Sequence, residues 1–426
     1  MPSSQRVARA AMNLRDRSRD PAWHTSEGEY HVADVLDFLR DQPDESVQCV
    51  VTSPPYWGLR DYNVAGMIGL EPTLAEWLAR MVAVFDEVRR VLRADGTAWV
   101  NMGDSYAQNG ASGGAGPKGD DPGRANTARA QAGQRVPAGL KQKDMLGQPW
   151  RLAFALQAAG WWLRSDIVWH KPNPMPGSQT DRPTSAHEYV FLLTKSPRYF
   201  YDAEAVREPH TAANTQRQLT ASDRGADAAR VRGAGTYEIG AARHLNPAGR
   251  NLRDVWTIPT QATEAEHFAT FPERLVEPCV LAGTSAKGAC AECGAPWKRE
   301  ILSTYSKRCP HGVVGRVSGE SGLPMGQHGR MTGKPQMNQH VTTTGWSPTC
   351  KHEGEPVPCV VMDPFMGFGT VALVAERHGR RWIGCDLNSE YAELARERVN
   401  KRTGREFEAA PGMTQAAFVG DQQRAS

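Results

Sequence analysis

Residues 359–370 read Cys-Val-Val-Met-Asp-Pro-Phe-Met-Gly-Phe-Gly-Thr, and few folds accommodate that order. A β-branched run stops at Asp363-Pro364, where proline removes a backbone donor. Gly367 and Gly369 then free the chain to turn before a helical run that opens at Thr370. Such a strand, glycine turn and helix present backbone N–H groups and a helix N-terminus to a ligand above the strand. The next strand, RWIGC, ends at Asp386 and is followed by Leu387-Asn388. An acidic residue about 20 positions beyond the glycines suits a ribose-hydroxyl acceptor. Together these features predict a nucleoside site, with Asp363 suited to a cationic portion of the ligand rather than to a pyrophosphate.

The rest of the chain alternates strand and helix signals. Tyr30 to Leu39 reads as a short strand and a helical turn, and Val47–Thr52 as a buried strand of β-branched residues. Thr73 and Glu76 form a capping box ahead of an apolar stripe of Leu74, Trp77, Leu78, Met81, Phe85, Val88 and Leu92, which predicts a helix over 73–92. Asp95-Gly96 is expected to turn that helix into the strand TAWVNM. Helix 149–160, strands at 161–170 and 187–194, and helices over 370–379 and 389–402 follow. This pattern predicts an α/β fold with a mostly parallel, doubly wound sheet.

Two stretches break the alternation with basic, irregular sequence. Residues 108–143 are Gly, Ala, Ser, Pro and Arg with almost no large apolar residue, which predicts a mobile loop; six Lys/Arg face two Asp over 111–143. Over 287–352 nine Lys/Arg face three Glu, an excess of the kind that attracts phosphates. The net charge of +3 adds nothing decisive. The second stretch also holds Cys290-x-x-Cys293 and Cys350-x-His352, four ligands in two close pairs, as in a structural zinc ribbon. Cys309 and His311 form a third pair that could replace either. With eight cysteines and neither a secretory signal nor a spanning apolar run, reduced thiols, a cytoplasmic location and no membrane association are expected.

Strand 47–52 ends on Ser53-Pro54-Pro55-Tyr56, a rigid turn that cannot continue as helix. This tetrapeptide, the Asp363–Thr370 loop and their order resemble the amino-directed DNA methyltransferases, in the class whose catalytic loop precedes the cofactor loop; the resemblance spans about Tyr30 to Asn400 and includes phage-type members. It implies a Rossmann-like class I methyltransferase sheet, S-adenosylmethionine as methyl donor and double-stranded DNA as partner. It also implies that Asp34, Thr52, Phe271, Asp363, Pro364, Phe365, Gly367, Gly369, Thr370, Asp386 and Asn388 bind the cofactor. Phe271 enters through His267–Pro272, which resembles the family's other cofactor-side segment, and Asp34 resembles the acid that meets adenine. Ser53, Pro54, Pro55 and Tyr56 would hold and activate the flipped base. Lys171 and Asn173 lie in Trp169–Asn173, which resembles the segment beside that base.

The chemistry agrees with the resemblance. An exocyclic amine is a poor nucleophile, so an acceptor must engage its N–H; Ser53 Oγ and the Pro54 carbonyl are candidates, while Tyr56 stacks on the base. Ser at the first position resembles the N4-cytosine members and Asp the N6-adenine members, so cytosine N4 is favoured and adenine N6 stays open. Attack at cytosine C5 would need a nucleophilic Cys after Pro; Pro278-Cys279 and Pro358-Cys359 both flank apolar stretches and read as buried, inert thiols. A third reading is a zinc-ribbon nucleic-acid-binding protein with a vestigial core. The expected organisation is tails at 1–25 and 405–426, a catalytic half at 26–200, target recognition at 201–260, a cofactor half at 261–282 and 357–404, and a zinc-binding insertion at 283–356. A homodimer and a cognate restriction enzyme are open as partners.

Overall fold

The computed structural model describes residues 21–58, 66–107, 136–177, 179–210, 248–261, 271–308, 336–403 and 408–409. The element order is β1 (Trp23–His24), β2 (Gly28–Val32), α1 (Val35–Arg40), β3 (Val47–Thr52), α2 (Leu74–Val91), β4 (Leu92–Met102), α3 (Gln148–Ala158), β5 (Trp162–His170), β6 (His187–Thr194), β7 (Val255–Thr257), α4 (Glu273–Gly283), β8 (Ala289–Cys290), β9 (Lys298–Arg308), β10 (Gln336–Ser347), β11 (Pro356–Val357), β12 (Val360–Asp363), α5 (Thr370–Arg377), β13 (Arg381–Asp386), α6 (Ser389–Thr403) and β14 (Glu408–Ala409). The chain divides into two compact units. One comprises Met1–Asp202, Arg253–Lys298 and Pro348–Ser426, the other Ala203–Leu252 and Arg299–Ser347.

The first unit is built on a ten-stranded sheet in the order β14-β1-β2-β13-β12-β3-β4-β6-β5-β7. Its five central strands, from β2 to β4, are parallel. β6 runs antiparallel to β4 and β5, and β1 antiparallel to β2 and β14, so the sheet is mixed. The crossover β12–α5–β13 steps one way along the sheet and β3–α2–β4 steps the other. The strand order therefore reverses between β12 and β3, and ligands of such sheets bind in the crevice at the carboxyl ends there.

Local sequence explains the central elements. All six residues of β3 are buried, as a near-continuous β-branched run requires in a strand covered on both faces. In α2 the stripe of Leu74, Trp77, Met81, Phe85 and Val88 is buried, and Thr73 Oγ1 accepts from the Glu76 amide at 3.2 Å.

One local expectation changes, and one helix appears that sequence patterning does not assign. The turn expected at Asp95-Gly96 is an excursion within β4, because pairing jumps from Val47↔Leu92 to Cys49↔Thr97 and the extra residues bulge outward. Residues 273–283, to which sequence patterning assigns no element, form α4 with Pro278 inside it. Proline there forfeits one amide bond, while burial of Leu275, Val276, Cys279 and Val280 holds the helix.

In the second unit β9 and β10 form a two-stranded sheet. Glu208 and Arg250 exchange backbone hydrogen bonds of 2.9 and 2.8 Å and pair through their side chains at 2.7 Å. The Arg299 guanidinium lies 4.4 Å from the centre of the Trp346 ring. Of the expected target-recognition stretch, residues 203–210 and 248–252 share a unit with the β9–β10 part of the expected insertion, while 211–247 lie outside the described residues; the stem of that insertion, carrying Cys290, Cys293, Cys350 and His352, belongs to the first unit. No helix among the described residues is long and apolar enough to cross a membrane.

Candidate active site

Strand register gathers the expected site residues along one edge of the sheet. Asp386 pairs with Val32, two residues before Asp34; Asp363 pairs with Gly384; and Thr52 pairs with Val100, next to Asn101. β6 enters at the same edge, because Tyr189 lies opposite Met102 and Glu188 opposite Trp169. Asp34, Asp386, Asp363, Thr52, Asn101, Glu188 and Lys171 thus lie in order along the carboxyl ends of the parallel strands.

At the reversal point Thr52 donates its hydroxyl to Asp363 Oδ1 at 2.6 Å, and the Phe365 amide donates to the same oxygen at 3.0 Å. Asp363 is only 1% exposed, and its Oδ2 has no hydrogen-bond partner among the described residues. Burial pushes this carboxyl up to about 7, although the Thr52 and Phe365 bonds pull it down. A buried carboxylate oxygen without a donor is costly by itself and is relieved by an incoming cation.

The glycine loop folds over this carboxylate. The Met366 amide donates to Cys385 O at 2.8 Å, Gly367 sits at φ 48° and Gly369 at φ 70°, left-handed conformations that favour glycine. A Cβ at Gly367 would meet nothing within 4 Å, so open space lies over the loop. A Cβ at Gly384 would collide with Met366 Cε at 2.2 Å and the Asp363 carbonyl at 2.5 Å, so the loop needs glycine beneath it. Asp386 accepts from the amides of Gly367 at 3.1 Å and Asn388 at 2.9 Å, and burial raises it to about 6 against those bonds.

Other expected cofactor residues have local partners as well. Asp34 caps α1, accepting from the Leu36 amide at 2.9 Å, and stands beside the end of β13 through the Ala33 amide to Asp386 O bond at 3.1 Å. Thr370 Oγ1 accepts from Arg398 at 2.8 Å, and Pro364 is buried. Phe271 precedes α4, whose Glu273 pairs with the same Arg398 at 3.4 Å. Glu273 thus ties the start of α4 to the residue that holds Thr370, and residues 262–270 of the segment that includes Phe271 lie outside the described residues.

In the Ser53–Tyr56 turn, backbone carbonyls are sorted by partner. The Trp77 indole donates to the Pro55 carbonyl at 3.1 Å, and Gln148 brackets Trp57, accepting from its amide at 2.8 Å and donating to its carbonyl at 3.2 Å. No donor among the described residues takes the Pro54 carbonyl. The Tyr56 hydroxyl donates to Glu188 Oε2 at 3.2 Å. Burial, then the Glu188 charge, pushes that phenol well above its ordinary pKa, so it stays protonated.

Glu188 and Asn101 belong to this constellation although sequence patterning did not single them out. Asn101 donates to Glu188 Oε2 at 3.2 Å, and Lys171 pairs with Glu188 Oε1 while lying 4.3 Å from the Trp169 ring centre. Asn173 goes elsewhere: its Oδ1 accepts from the Thr260 amide at 2.9 Å. The available signal was a Glu at the mouth of the apolar strand HEYVFLLT, which reads equally well as a solvated strand end.

The cysteines separate into two groups. Cys279 donates to the Leu275 carbonyl at 3.3 Å within α4, and burial pushes its thiol well up; burial likewise pushes Cys359 up to about 11. Neither resembles an activated nucleophile. Cys290, Cys293, Cys350 and His352 instead converge, with ligand atoms all within 4.8 Å of one another. Cys309 and His311 lie outside the described residues.

Comparison with known proteins identifies the family. A family model described as DNA methylase, of the N6/N4 type, matches residues 47–291 and 358–397, leaving out most of the expected insertion. The chain is 38% identical over 367 residues to Type II methyltransferase M.Cfr9I of Citrobacter freundii, covering 86% of this chain and 85% of that one. It is 38% identical to Type II methyltransferase M.XycI of Xanthomonas campestris pv. cyanopsidis, covering 86% and 85%. It is 35% identical to Type II methyltransferase M.SmaI of Serratia marcescens, covering 87% and 90%. With the family model spanning most of the catalytic and glycine-loop halves and these relatives aligned along nearly their whole length, the chain belongs to the DNA methylases that modify amino nitrogens, the N4-cytosine and N6-adenine type.

Proposed function

We propose that this protein moves a methyl group from S-adenosylmethionine to the exocyclic amine of a base flipped out of double-stranded DNA, with cytosine N4 as the target. The observation that carries the reading is the join at Thr52–Asp363. On one side lies a buried carboxylate under a glycine loop, one of its oxygens without a partner among the described residues; on the other, a turn that presents acceptors to an amine.

The residues fit such a cofactor. Asp363 Oδ2 would take its ammonium group, the open space over Gly367 would admit its body, and Asp386 and Asn388 flank the position for its ribose. When bound, S-adenosylmethionine supplies an electrophilic methyl group, and nitrogen methylation releases one amine proton.

Ser53 Oγ and the Pro54 carbonyl accept the amine N–H bonds, drawing the lone pair out of the ring as the nitrogen becomes tetrahedral. The Ser53 hydroxyl oxygen carries two lone pairs that can accept from the amine. Glu188 clamps the Tyr56 hydroxyl, so the ring is held as a stacking platform with little rotational freedom left to lose. Ser rather than Asp at position 53 supports cytosine N4.

The test is incubation with S-adenosylmethionine and mixed-sequence duplex DNA, followed by digestion and mass spectrometry of the nucleosides. N4-methylcytosine is expected. N6-methyladenine would overturn the base assignment, and DNA binding without any methylated nucleoside would overturn the activity. Cys279→Ser and Cys359→Ser should each keep their methylation rate within about twofold, because neither thiol is asked to attack anything. A folded but inactive variant, with a covalent protein–DNA adduct trapped in the wild type, would replace amine transfer by attack at C5.

A further inference from the structure

The converging cysteines lie at the opposite edge of the sheet from the reaction site. Gln48, near the start of β3, donates to Gly294 O at 3.2 Å and accepts from the Val360 amide at 2.7 Å; Arg93, near the start of β4, donates to Cys293 O. The turn after Cys290 is tight: the Gly294 amide donates to Cys290 O at 2.8 Å, the Cys290 amide to Ala295 O at 2.8 Å, and Gly294 sits at φ 68°. The other limb returns through Thr349, whose hydroxyl donates to Pro296 O at 2.7 Å, and through β11, which pairs antiparallel with β8 over two residues each.

Those contacts are thin for a surface lobe. Within 289–297 and 348–357 only Ala289, Cys290, Ala295 and Pro296 are buried, none of them large and apolar, and two-residue strands carry little pairing energy. What the lobe does hold is a ligand shell. Cys290 Sγ stands 3.7 Å from His352 Nδ1, and all four ligand atoms fall within 4.8 Å of one another. Bond lengths of about 2.3 Å to sulfur and 2.0–2.1 Å to nitrogen in a tetrahedron imply ligand–ligand separations of about 3.5–3.8 Å. The second imidazole nitrogen of His352, Nε2, faces Glu292 Oε2 at 3.7 Å, the carboxylate-on-histidine arrangement that orients a metal-bound ring. Three thiols in one shell cannot all pair as disulfides, and three sulfurs with one imidazole select a soft, tetrahedral ion over magnesium or calcium.

We infer that Cys290, Cys293, Cys350 and His352 hold one structural zinc ion at the amino edge of the sheet, fastening together the two chain limbs that flank residues 299–347. The ion replaces an apolar core that the limbs lack, and it takes no part in binding the cofactor or the base.

Metal analysis of the full-length protein, purified without chelators, should find about one zinc per chain. Cobalt exchanged into the site should show tetrahedral d–d absorption with a thiolate charge-transfer band. Cys293→Ser and His352→Ala should lose the ion, His352→Cys should keep it with a shifted cobalt spectrum, and Cys309→Ser should leave both metal content and spectrum unchanged. Metal-free, folded wild-type protein whose thiols all react rapidly would overturn the site, a result that needs no variant to fold. Retention of zinc by Cys293→Ser, or its loss from Cys309→Ser, would overturn the ligand set. Removal of zinc from the wild type should leave S-adenosylmethionine affinity within about threefold by calorimetry; abolished affinity would overturn the placement of the ion as a remote fastening.

Discussion

Replacing Asp363 with Asn is expected to cut S-adenosylmethionine affinity by roughly 30- to 1000-fold while leaving the fold intact, because a buried charge–ammonium contact is worth about 2–4 kcal/mol when one partner is neutralised. The contact is strong for the reason that the carboxylate is uncomfortable without it: Asp363 is 1% exposed and its Oδ2 has no partner among the described residues. The same environment predicts a pH signature. With Asp363 held at about 7 in the unliganded protein, wild-type affinity should fall about tenfold per unit below pH 7, whereas the Asn variant should be flat until Asp386, held at about 6, begins to titrate.

Stability should move in the opposite sense. A carboxyl raised on folding makes the native state bind more protons than the unfolded chain between about pH 4 and pH 7, so stability of the unliganded protein declines as pH rises through that window. The Asn variant keeps only the part of that decline owed to Asp386, between about pH 4 and pH 6, and should melt no lower than the wild type at pH 8 without cofactor. Calorimetric titration and thermal melts across pH 5–8 check both halves. Undiminished affinity in Asp363→Asn would remove Asp363 from the cofactor site, and a wild-type melting curve independent of pH would remove its raised carboxyl.

Ser53→Ala should lower kcat by roughly 10- to 1000-fold with little change in affinity for cofactor or DNA, since it deletes an acceptor needed most as the amine becomes tetrahedral. Tyr56, the Pro54 carbonyl and the Thr52–Asp363 join all survive the change, so binding and chemistry should separate cleanly in single-turnover kinetics. Glu188 should behave as a positioning residue behind them. Glu188→Ala frees the Tyr56 hydroxyl, the Asn101 amide and the Lys171 ammonium together, and should lower kcat by about 10- to 100-fold. Glu188→Gln still offers an acceptor to Tyr56 and should recover most of that loss. Equal damage from Ala and Gln would assign Glu188 a role in charge rather than in geometry. Full activity in Ser53→Ala would leave the Pro54 carbonyl as the principal acceptor.

Much of this architecture was legible in the sequence wherever the controlling physics is local. The β-branched run of β3, the Thr73 cap of α2, the proline turn at 53–56 and the glycine loop at 363–370 each report on backbone freedom within a few residues. Alternating strands and helices then imply a parallel centre whose ligands gather at the carboxyl edge. Local reading assigned no element to α4, which forms through Pro278 because its apolar face is covered, and it took Asp95-Gly96 for a turn where a bulge absorbs both residues into β4. It was silent where partners are remote in the chain: Thr52 meets Asp363 across 311 positions, and Tyr56 meets Glu188 across 132. Periodicity says which face of an element is buried, but not which strand end will stand beside it. Only the sheet order and register turn a Glu at a strand mouth into the clamp on Tyr56, place a buried carboxylate under the glycine loop, and set the Cys and His pairs at the far edge, away from both.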